Sequence, residues 1–344
     1  MSAMLEILSV HGPLTVQDEG RRGLRHLGVP LAGALDGVAL RIANALVGNP
    51  PGAAGLEMRL AGPALQVLGR ARRIALAGPV GGRIERTDGS TEPVEAWRTH
   101  TLHPGDLLRL GPVRGGVAYL AAAGGIDVPP LLGSRSTYAR AALGGLEGRA
   151  LDGGDRLPLG EAPAPEPPEF ALPAPPAEES GPLRAMAGPQ DDRFAAEAMD
   201  TLCSAEYTVT RDADRMGLRL AGPALLHRPG CGADIVSDAV TPGAIQVPAD
   251  GRPILLLADC QTTGGYAKIA TVITADLPRL GRLLPGDRLS FRLVDPAQAR
   301  AALLAREALV ASRIAGIGPA RDAGLDLEAL YSANLVSGFI GDAP

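Results

Sequence analysis

The chain has 344 residues, with 38 acidic against 33 basic side chains and a formal charge of −5, a balance that argues against the basic stripe of a nucleic-acid binder. Hydrophobic residues at 46%, charged residues at 21% and 45 glycines with 31 prolines describe a globular chain of many short strands and turns, long enough for two cores. No apolar run reaches the about 18 residues of a membrane span, and Cys203, Cys231 and Cys260 lie too far apart for a disulfide framework or a metal site, which points to a reducing, cytoplasmic setting.

MSAMLEILSVHGPLTV reads as a first strand, since it lacks the basic start and cleavage site of a signal peptide. TVQDEGRRGLRHLGVPLAGALD (15–36) follows, a glycine-rich stretch with Asp18 and Asp36 at loop positions. Helical period appears over 35–48, where Leu35, Val38, Ile42, Ala45 and Leu46 share a face and Gly48 can end the helix; Asp36 is placed to cap it. Short apolar runs then succeed one another: LQVLG, RRIALAG, DLLRLG and VAYLAAAG. GGIDVPPLLGSRSTY (124–138) closes the first half. Residues 161–182, crowded with proline and glutamate, predict a semi-rigid exposed linker between a domain of 1–160 and one of 183–344. Beyond it come a helical pattern at 191–203, the stretch SDAVTPGAIQVPADG (237–251) and the runs PILLLAD, KIATVI and RLSFRLV. A last helix is predicted at 295–316, and LDLEALYSANLVSGFIGD is apolar enough to pack back onto the body. RLAGPAL occurs at both 59–65 and 219–225, and a Pro-Gly-Asp turn recurs at 104–106 and 285–287. Two ordered repeats imply duplicated units, and the whole predicts a mainly β protein with a few helices, two barrels side by side.

The 33 basic residues resolve into 32 arginines and one lysine, Lys268, set in QTTGGYAKIATVI. Lysine is a compact charge that can serve as acid, base or nucleophile where arginine cannot, so Lys268 is the first candidate for chemistry. Survival of one lysine through codon drift is the bland alternative. The same count removes a Walker A loop, which needs GK[ST], and the kinase VAIK lysine; GGYAKIA is also not the Met-Lys-Met setting of a biotin carrier, so no covalent biotin is expected. Gln261, Thr262 and Thr263 offer polar side chains, and Gly264-Gly265 reads as a tight turn exposing amides to a ligand. Asp18 and Asp36 are candidate carboxylates for orienting a polar substrate or taking a proton, or else a turn residue and a cap. Ser134, Arg135 and Ser136 form a candidate cradle for a carboxylate or other anion; Asp238 and Gln246 could line a pocket. His100 and His103 have no third ligand near them and read as solvent-facing strand residues, and Cys260 has no adjacent histidine to activate it.

Taken together and in order, TVQDEGRRGLRHLGVPLAGALD, ALRIANALVGN, LEMRLAGPAL, LAAAGGIDVPPLLGSRSTY, GPQDDRF, DRMGLRLAGP, SDAVTPGAIQVPADGRPILLLADCQTTGGYAKIATVI and LLPGDRLSF resemble the biotin-dependent carboxyltransferase or allophanate-hydrolase-subunit-2 family, over about Ile7 to Leu293. The ending EALYSANLVSGFIGD is similar to free-standing bacterial members. The resemblance implies two cyclophilin-like β-barrel domains. It implies a part in ATP-dependent opening of 5-oxoproline to glutamate, in complex with a KipI-like (allophanate hydrolase subunit 1) protein and a LamB/YcsF-like subunit, with ATP bound by this chain or by a partner. Two other activities stay open: transfer of carboxylate from carboxybiotin to urea or a related amide, and a non-catalytic KipA-like role on a KipI-like kinase inhibitor. Carried onto this chain, the resemblance makes Lys268 the group that stabilises charge or moves a proton. Asp18, Asp36 and Asn44 would face the amide, Arg135 would hold a carboxylate or phosphate, and Gln261 to Tyr266 would form the floor. Ala267, where proline often follows the tyrosine, and Glu19, where an apolar residue is usual, depart from the commoner pattern.

Overall fold

The computed structural model describes residues 3–177 and 179–320. Strands dominate, with four α-helices among the described residues: α1 (Gly37–Leu46), α2 (Ala198–Ser204), α3 (Leu277–Leu280) and α4 (Pro296–Ala315). The N-terminal half builds two antiparallel sheets. One runs, in spatial order, through Arg156–Pro158, Met4–Ser9, Ala64–Leu68, Leu107–Leu110, Gly82–Glu85 and Thr91–Val94. The other runs through Leu14–Gln17, Gly55–Ala61, Pro112–Ala122, Arg72–Ala77 and Thr99–Leu102. Alternation along the strands makes the core between them: Leu5, Ile7, Val67 and Leu108 of the first sheet meet Val16, Leu56, Met58 and Leu120 of the second, all fully buried.

The C-terminal half forms one eight-stranded sheet, ordered Arg288–Leu289, Tyr207–Ala213, Gly217–Ala221, Ile254–Leu256, Ala244–Gln246, Lys268–Val272, Leu183–Ala187 and Phe291–Leu293. Its two edge strands are separated in the chain by Ser290 alone, so one segment finishes both ends and the sheet nearly closes on itself. The predicted RLSFRLV strand therefore divides. Its first part pairs antiparallel with Tyr207–Thr208, and its second runs parallel to Leu183–Ala185.

From Val117 onward, strand Pro112–Ala122 is buried on both faces. Ala118, Leu120 and Ala122 face the N-terminal core, whereas Val117, Tyr119 and Ala121 join a second core with Leu183, Tyr207, Leu220, Ile245 and Phe291. Ala39, Leu40 and Ala43 of α1 pack into the same place, so the two barrels share an apolar interior. Burying each such Leu or Ile side chain contributes roughly 1.5–3 kcal/mol, which makes the shared face a large part of what holds the halves together.

The duplication is visible in the turns, with a change of partner from the sequence reading. At 285–287, Gly286 N–H donates to the Val209 carbonyl at 2.8 Å and Val209 N–H to the Asp287 carbonyl at 2.9 Å. Gly154 and Asp155 exchange the same pair of bonds with Ile7, at 2.7 and 2.8 Å. Gly153-Gly154-Asp155 is thus the counterpart of Pro285-Gly286-Asp287; Pro104-Gly105-Asp106 shares only the local turn, in which the Asp carboxylate accepts the N–H three residues earlier.

Asp36 caps α1 by accepting Ala39 N–H at 3.0 Å, and Gly48 follows the helix with φ +76°. Asp295 and Gln298 make a reciprocal capping box on α4. The predicted 191–203 helix is interrupted: a 3-10 turn at Asp191–Arg193 precedes α2, and Phe194 between them is extended, buried and stacked on His227 at 4.7 Å. Burial of that ring overrides the helical period. Most of 161–182 is exposed, but Phe170–Ala171 pairs with Gly318–Pro319, and Leu172 packs on Val38, Ile42 and Val310. His100 is buried, contrary to the solvent-facing reading, because its ring turns inward to the Glu95 backbone; burial lowers its pKa. The predicted packing of 325–342 lies outside the described residues.

Candidate functional site

Lys268 begins the strand Lys268–Val272 and is only 3% exposed. A charge that far from water needs a partner. Its Nζ donates to Asp238 Oδ2 at 2.7 Å, Gln190 Nε2 donates to the same oxygen at 2.9 Å, and Gln190 Oε1 accepts the Lys268 N–H at 3.2 Å. Lys268 first and Gln190 second pull the Asp238 carboxyl down from 3.8 to about 2. The Asp238 side chain is 47% exposed, so the pair leads from the barrel wall to the surface.

The Gly-Gly pair beside Lys268 is not a turn. Thr263–Tyr266 is a strand, paired antiparallel with Asp234–Ala239 so that Gly264 lies opposite Asp238, and neither glycine has a positive φ. Close approach favours glycine here: a Cβ on Gly264 would stand 2.5 Å from Gln246 Nε2 and 3.2 Å from Val240 Cγ1, so the buried Gln246 side chain would have to move. Gln246 is buried, is the cross-strand partner of Lys268, and donates to the Tyr266 carbonyl at 3.4 Å. The preceding loop is held by its backbone. Arg25 from the N-terminal half donates to the carbonyls of Val240 and Gln261 at 2.6 and 2.8 Å, and the Thr262 carbonyl accepts Val240 N–H at 3.0 Å. Lys268, Asp238, Gln246, Gly264, Gly265 and Tyr266 thus assemble in one place, with Gln261, Thr262 and Thr263 on its edge. Cys260 is fully buried and burial raises its pKa, the opposite of what a nucleophilic thiolate requires.

The other candidates form separate groups. Asp18 Oδ1 accepts the hydroxyls of Ser134 and Ser136, each at 2.6 Å, and Gly20 N–H at 2.8 Å; Oδ2 accepts Arg135 N–H at 2.6 Å. Both oxygens are filled by protein donors, and the carboxylate ties the 131–137 loop to the end of strand Leu14–Gln17. The Arg135 guanidinium donates to the Val128 carbonyl at 2.8 Å and Asp127 at 2.7 Å. Asn44 donates to the Ala53 carbonyl at 2.8 Å and accepts from Asn49 at 3.1 Å, which organises the turn after α1. Asp36, besides capping α1, accepts from Arg282 of the other half at 2.7 Å. No side-chain hydrogen bond or ion pair among the described residues joins Asp18 or Asp36 to Lys268.

Between the barrels runs a network that sequence reasoning missed. Arg215 donates to Asp259 through two nitrogens at 2.9 and 3.0 Å, to the Gly33 carbonyl at 2.6 Å and to Glu57 Oε1. Glu57 Oε2 accepts Leu35 N–H at 2.9 Å and the Tyr119 hydroxyl at 2.7 Å, and Tyr119 in turn accepts Asp36 N–H at 2.8 Å. Burial works against the Arg215 charge, but Glu57 and Asp259 outweigh it and raise the pKa; burial raises that of Asp259, with Arg215 opposing. A signal was available: Glu57 interrupts the apolar run LEMRL, and Asp259 ends ILLLAD, where only a buried opposite charge makes an acid tolerable.

The model of the carboxyltransferase domain, subdomain A and B, matches residues 27–293. The chain is 38% identical over 292 residues to the C subunit of 5-oxoprolinase from Escherichia coli (strain K12), covering 84% of this chain and 90% of that one. It is 35% identical over 303 residues to the corresponding 5-oxoprolinase chain of Haemophilus influenzae, covering 85% and 91%. Among solved structures, the K. lactis urea amidolyase superposes with a TM-score of 0.81 at 30% identity over 90% of this chain; the match spans only 20% of that enzyme's length.

Proposed function

The chain belongs to the carboxyltransferase-domain family, and from that premise we propose that it is the C subunit of an ATP-dependent 5-oxoprolinase, working with a KipI-like and a LamB/YcsF-like subunit to open 5-oxoproline to glutamate. The observation that carries this reading is the end-to-end match: 90% of the E. coli 5-oxoprolinase chain is covered, against a fifth of the urea amidolyase. Opening a cyclic amide places negative charge on the carbonyl oxygen, and a buried cation beside Asp238 and Gln246 answers that demand. Of the two roles available to Lys268, charge stabilisation fits the geometry better than proton abstraction, because its Asp238 partner stays ionised down to about pH 2. The amine is also committed to that pair, which would have to break before Lys268 could take a covalent biotin. The chain's one lysine is not in a phosphate-binding loop, so nucleotide binding falls to a partner subunit or to a pocket of another kind.

The family's carboxyltransferase domain and the urea amidolyase superposition favour one second reading, transfer of carboxylate from carboxybiotin to a urea-like acceptor. Reconstitution separates the two. Mixed with the two partner subunits, ATP and 5-oxoproline, the chain should support ATP-dependent glutamate formation. Lys268→Arg should still fold and assemble but lose turnover by about 100-fold or more, the scale of a removed charge-stabilising group. Full turnover in that variant removes Lys268 from the mechanism; label passing from carboxybiotin to urea without the partners establishes the second reading instead.

A further inference from the structure

One row of side chains crosses the outer face of the C-terminal barrel. Arg219 is paired with Ile254, Ile254 with Gln246, and Gln246 with Lys268. The neighbouring row, Leu218, Leu255 and Ile245, points inward and is fully buried, so alternation fixes the face that Arg219, Ile254 and Gln246 occupy. A register shift between Ile245 and Gln246 brings Lys268, next to buried Ile269, into line with them. The paired strands Asp234–Ala239 and Thr263–Tyr266 lie over the Lys268 end. Alongside them opens a cavity of about 590 Å³, lined by Arg140, Arg211, Arg219, Gln246, Ile254 and Tyr266 among others. With strands about 4.8 Å apart, Arg219 stands roughly 10 Å from Gln246 measured between backbones, a gap that one arginine side chain and one small ligand fill.

The charges in this cavity are unequal in their commitments. Asp214 is spent on the amides of Met216 and Gly217, at 2.7 and 3.2 Å, and on Arg140 at 3.4 Å. Asp212 also lines the rim. Arg211 and Arg219 make no side-chain hydrogen bond or ion pair with any described residue, and both are exposed. Gln246 is 2% exposed, and its side chain makes one hydrogen bond, from Nε2 to the Tyr266 backbone carbonyl at 3.4 Å, leaving its oxygen free to receive an amide N–H. Ile254 lies between the two polar ends.

We propose that this cavity binds a small carboxylate-bearing cyclic amide lengthwise: Arg219, with Arg211, takes the carboxylate, Ile254 and Tyr266 contact the ring methylenes, and the amide meets Gln246, the cross-strand neighbour of Lys268. The inference rests on the 5-oxoprolinase reading and deepens it. It makes Arg219 the residue that selects 5-oxoproline over urea, which has no carboxylate for a guanidinium to grip.

Arg219→Gln, Arg211→Gln and Arg219→Lys are compared with wild type in the reconstituted complex. Equilibrium binding of 5-oxoproline and of 2-pyrrolidinone, the same ring without the carboxylate, is measured alongside turnover. The expected result is a KM for 5-oxoproline raised at least tenfold in Arg219→Gln, a smaller rise in Arg219→Lys, most of the loss in KM and not kcat, and 2-pyrrolidinone affinity unmoved. A complex that turns over normally with KM unchanged in both glutamine variants overturns the inference while leaving the function standing. A wild-type complex without turnover refutes the function, and binding then decides: 5-oxoproline weakened tenfold by Arg219→Gln supports the cavity assignment, and equal binding by both proteins, or binding by neither, overturns it.

Discussion

Replacing Arg215 by methionine removes the one cation held between Glu57 and Asp259 while keeping most of its volume. Glu57 is 1% exposed at its side chain and Asp259 11%, so neither loss is repaired by water. Asp259 forfeits two donors and the Gly33 carbonyl one, whereas Glu57 keeps the Leu35 amide and the Tyr119 hydroxyl. Breaking a buried pair from one side costs about 3–5 kcal/mol, and with Glu57 still half-supported the middle of that range, about 4 kcal/mol, is the expected destabilisation at pH 8. In urea, at a slope of about 3 kcal/mol per molar for a chain of this size, the midpoint moves down by about 1.3 M. The pH dependence has a definite sign. Asp259 already has a folded pKa above its ordinary 3.8, so its ionised form costs stability at high pH and relief comes as pH falls. Without Arg215 that pKa rises further, and the destabilisation shrinks between pH 8 and pH 5. A loss below about 1 kcal/mol at pH 8, or one that grows on acidification, refutes the view that this network joins the barrels through a desolvated charge pair.

Two further outcomes follow from the Lys268 cluster. Asp238 has a folded pKa of about 2 against 3.8, so the stability it contributes is present above pH 3.8 and lost as pH falls toward 2. The difference in unfolding free energy between wild type and Asp238→Asn should hold constant from pH 8 to 4.5 and vanish on further acidification; a difference that changes near neutrality contradicts the assigned pair. Gly264→Ala drives a methyl to within 2.5 Å of Gln246 Nε2 and should cost about 1–3 kcal/mol, whereas Gly265→Ala, whose nearest neighbour is 3.7 Å away, should fall within about 0.5 kcal/mol of wild type by thermal unfolding. Equal effects at the two glycines would show that backbone freedom, not close approach, explains the pair.

Composition and local pattern determined much of this protein. Alternating apolar residues made the strands, Asp36 marked a helix start, and the ordered motifs disclosed both the duplication and the family. The lone lysine directed attention to the cluster it forms with Asp238 and Gln246, because a charge chemically unlike every other cation in the chain is visible by inspection. Pairings across long separations were not visible. Asp18 could be read as a substrate-facing carboxylate or a turn residue, and only the fold brought Ser134, Arg135 and Ser136 onto it from more than a hundred residues away. Gly264 suggested a turn, because nothing in its neighbourhood announces Gln246 beneath it. Arg219 was one arginine among 32, and only sheet register sets it in line with Gln246 and Lys268. Periodicity is a property of neighbours along the chain and survives in the sequence; register, closure and charge pairing depend on which strands meet, and only tertiary structure decides that.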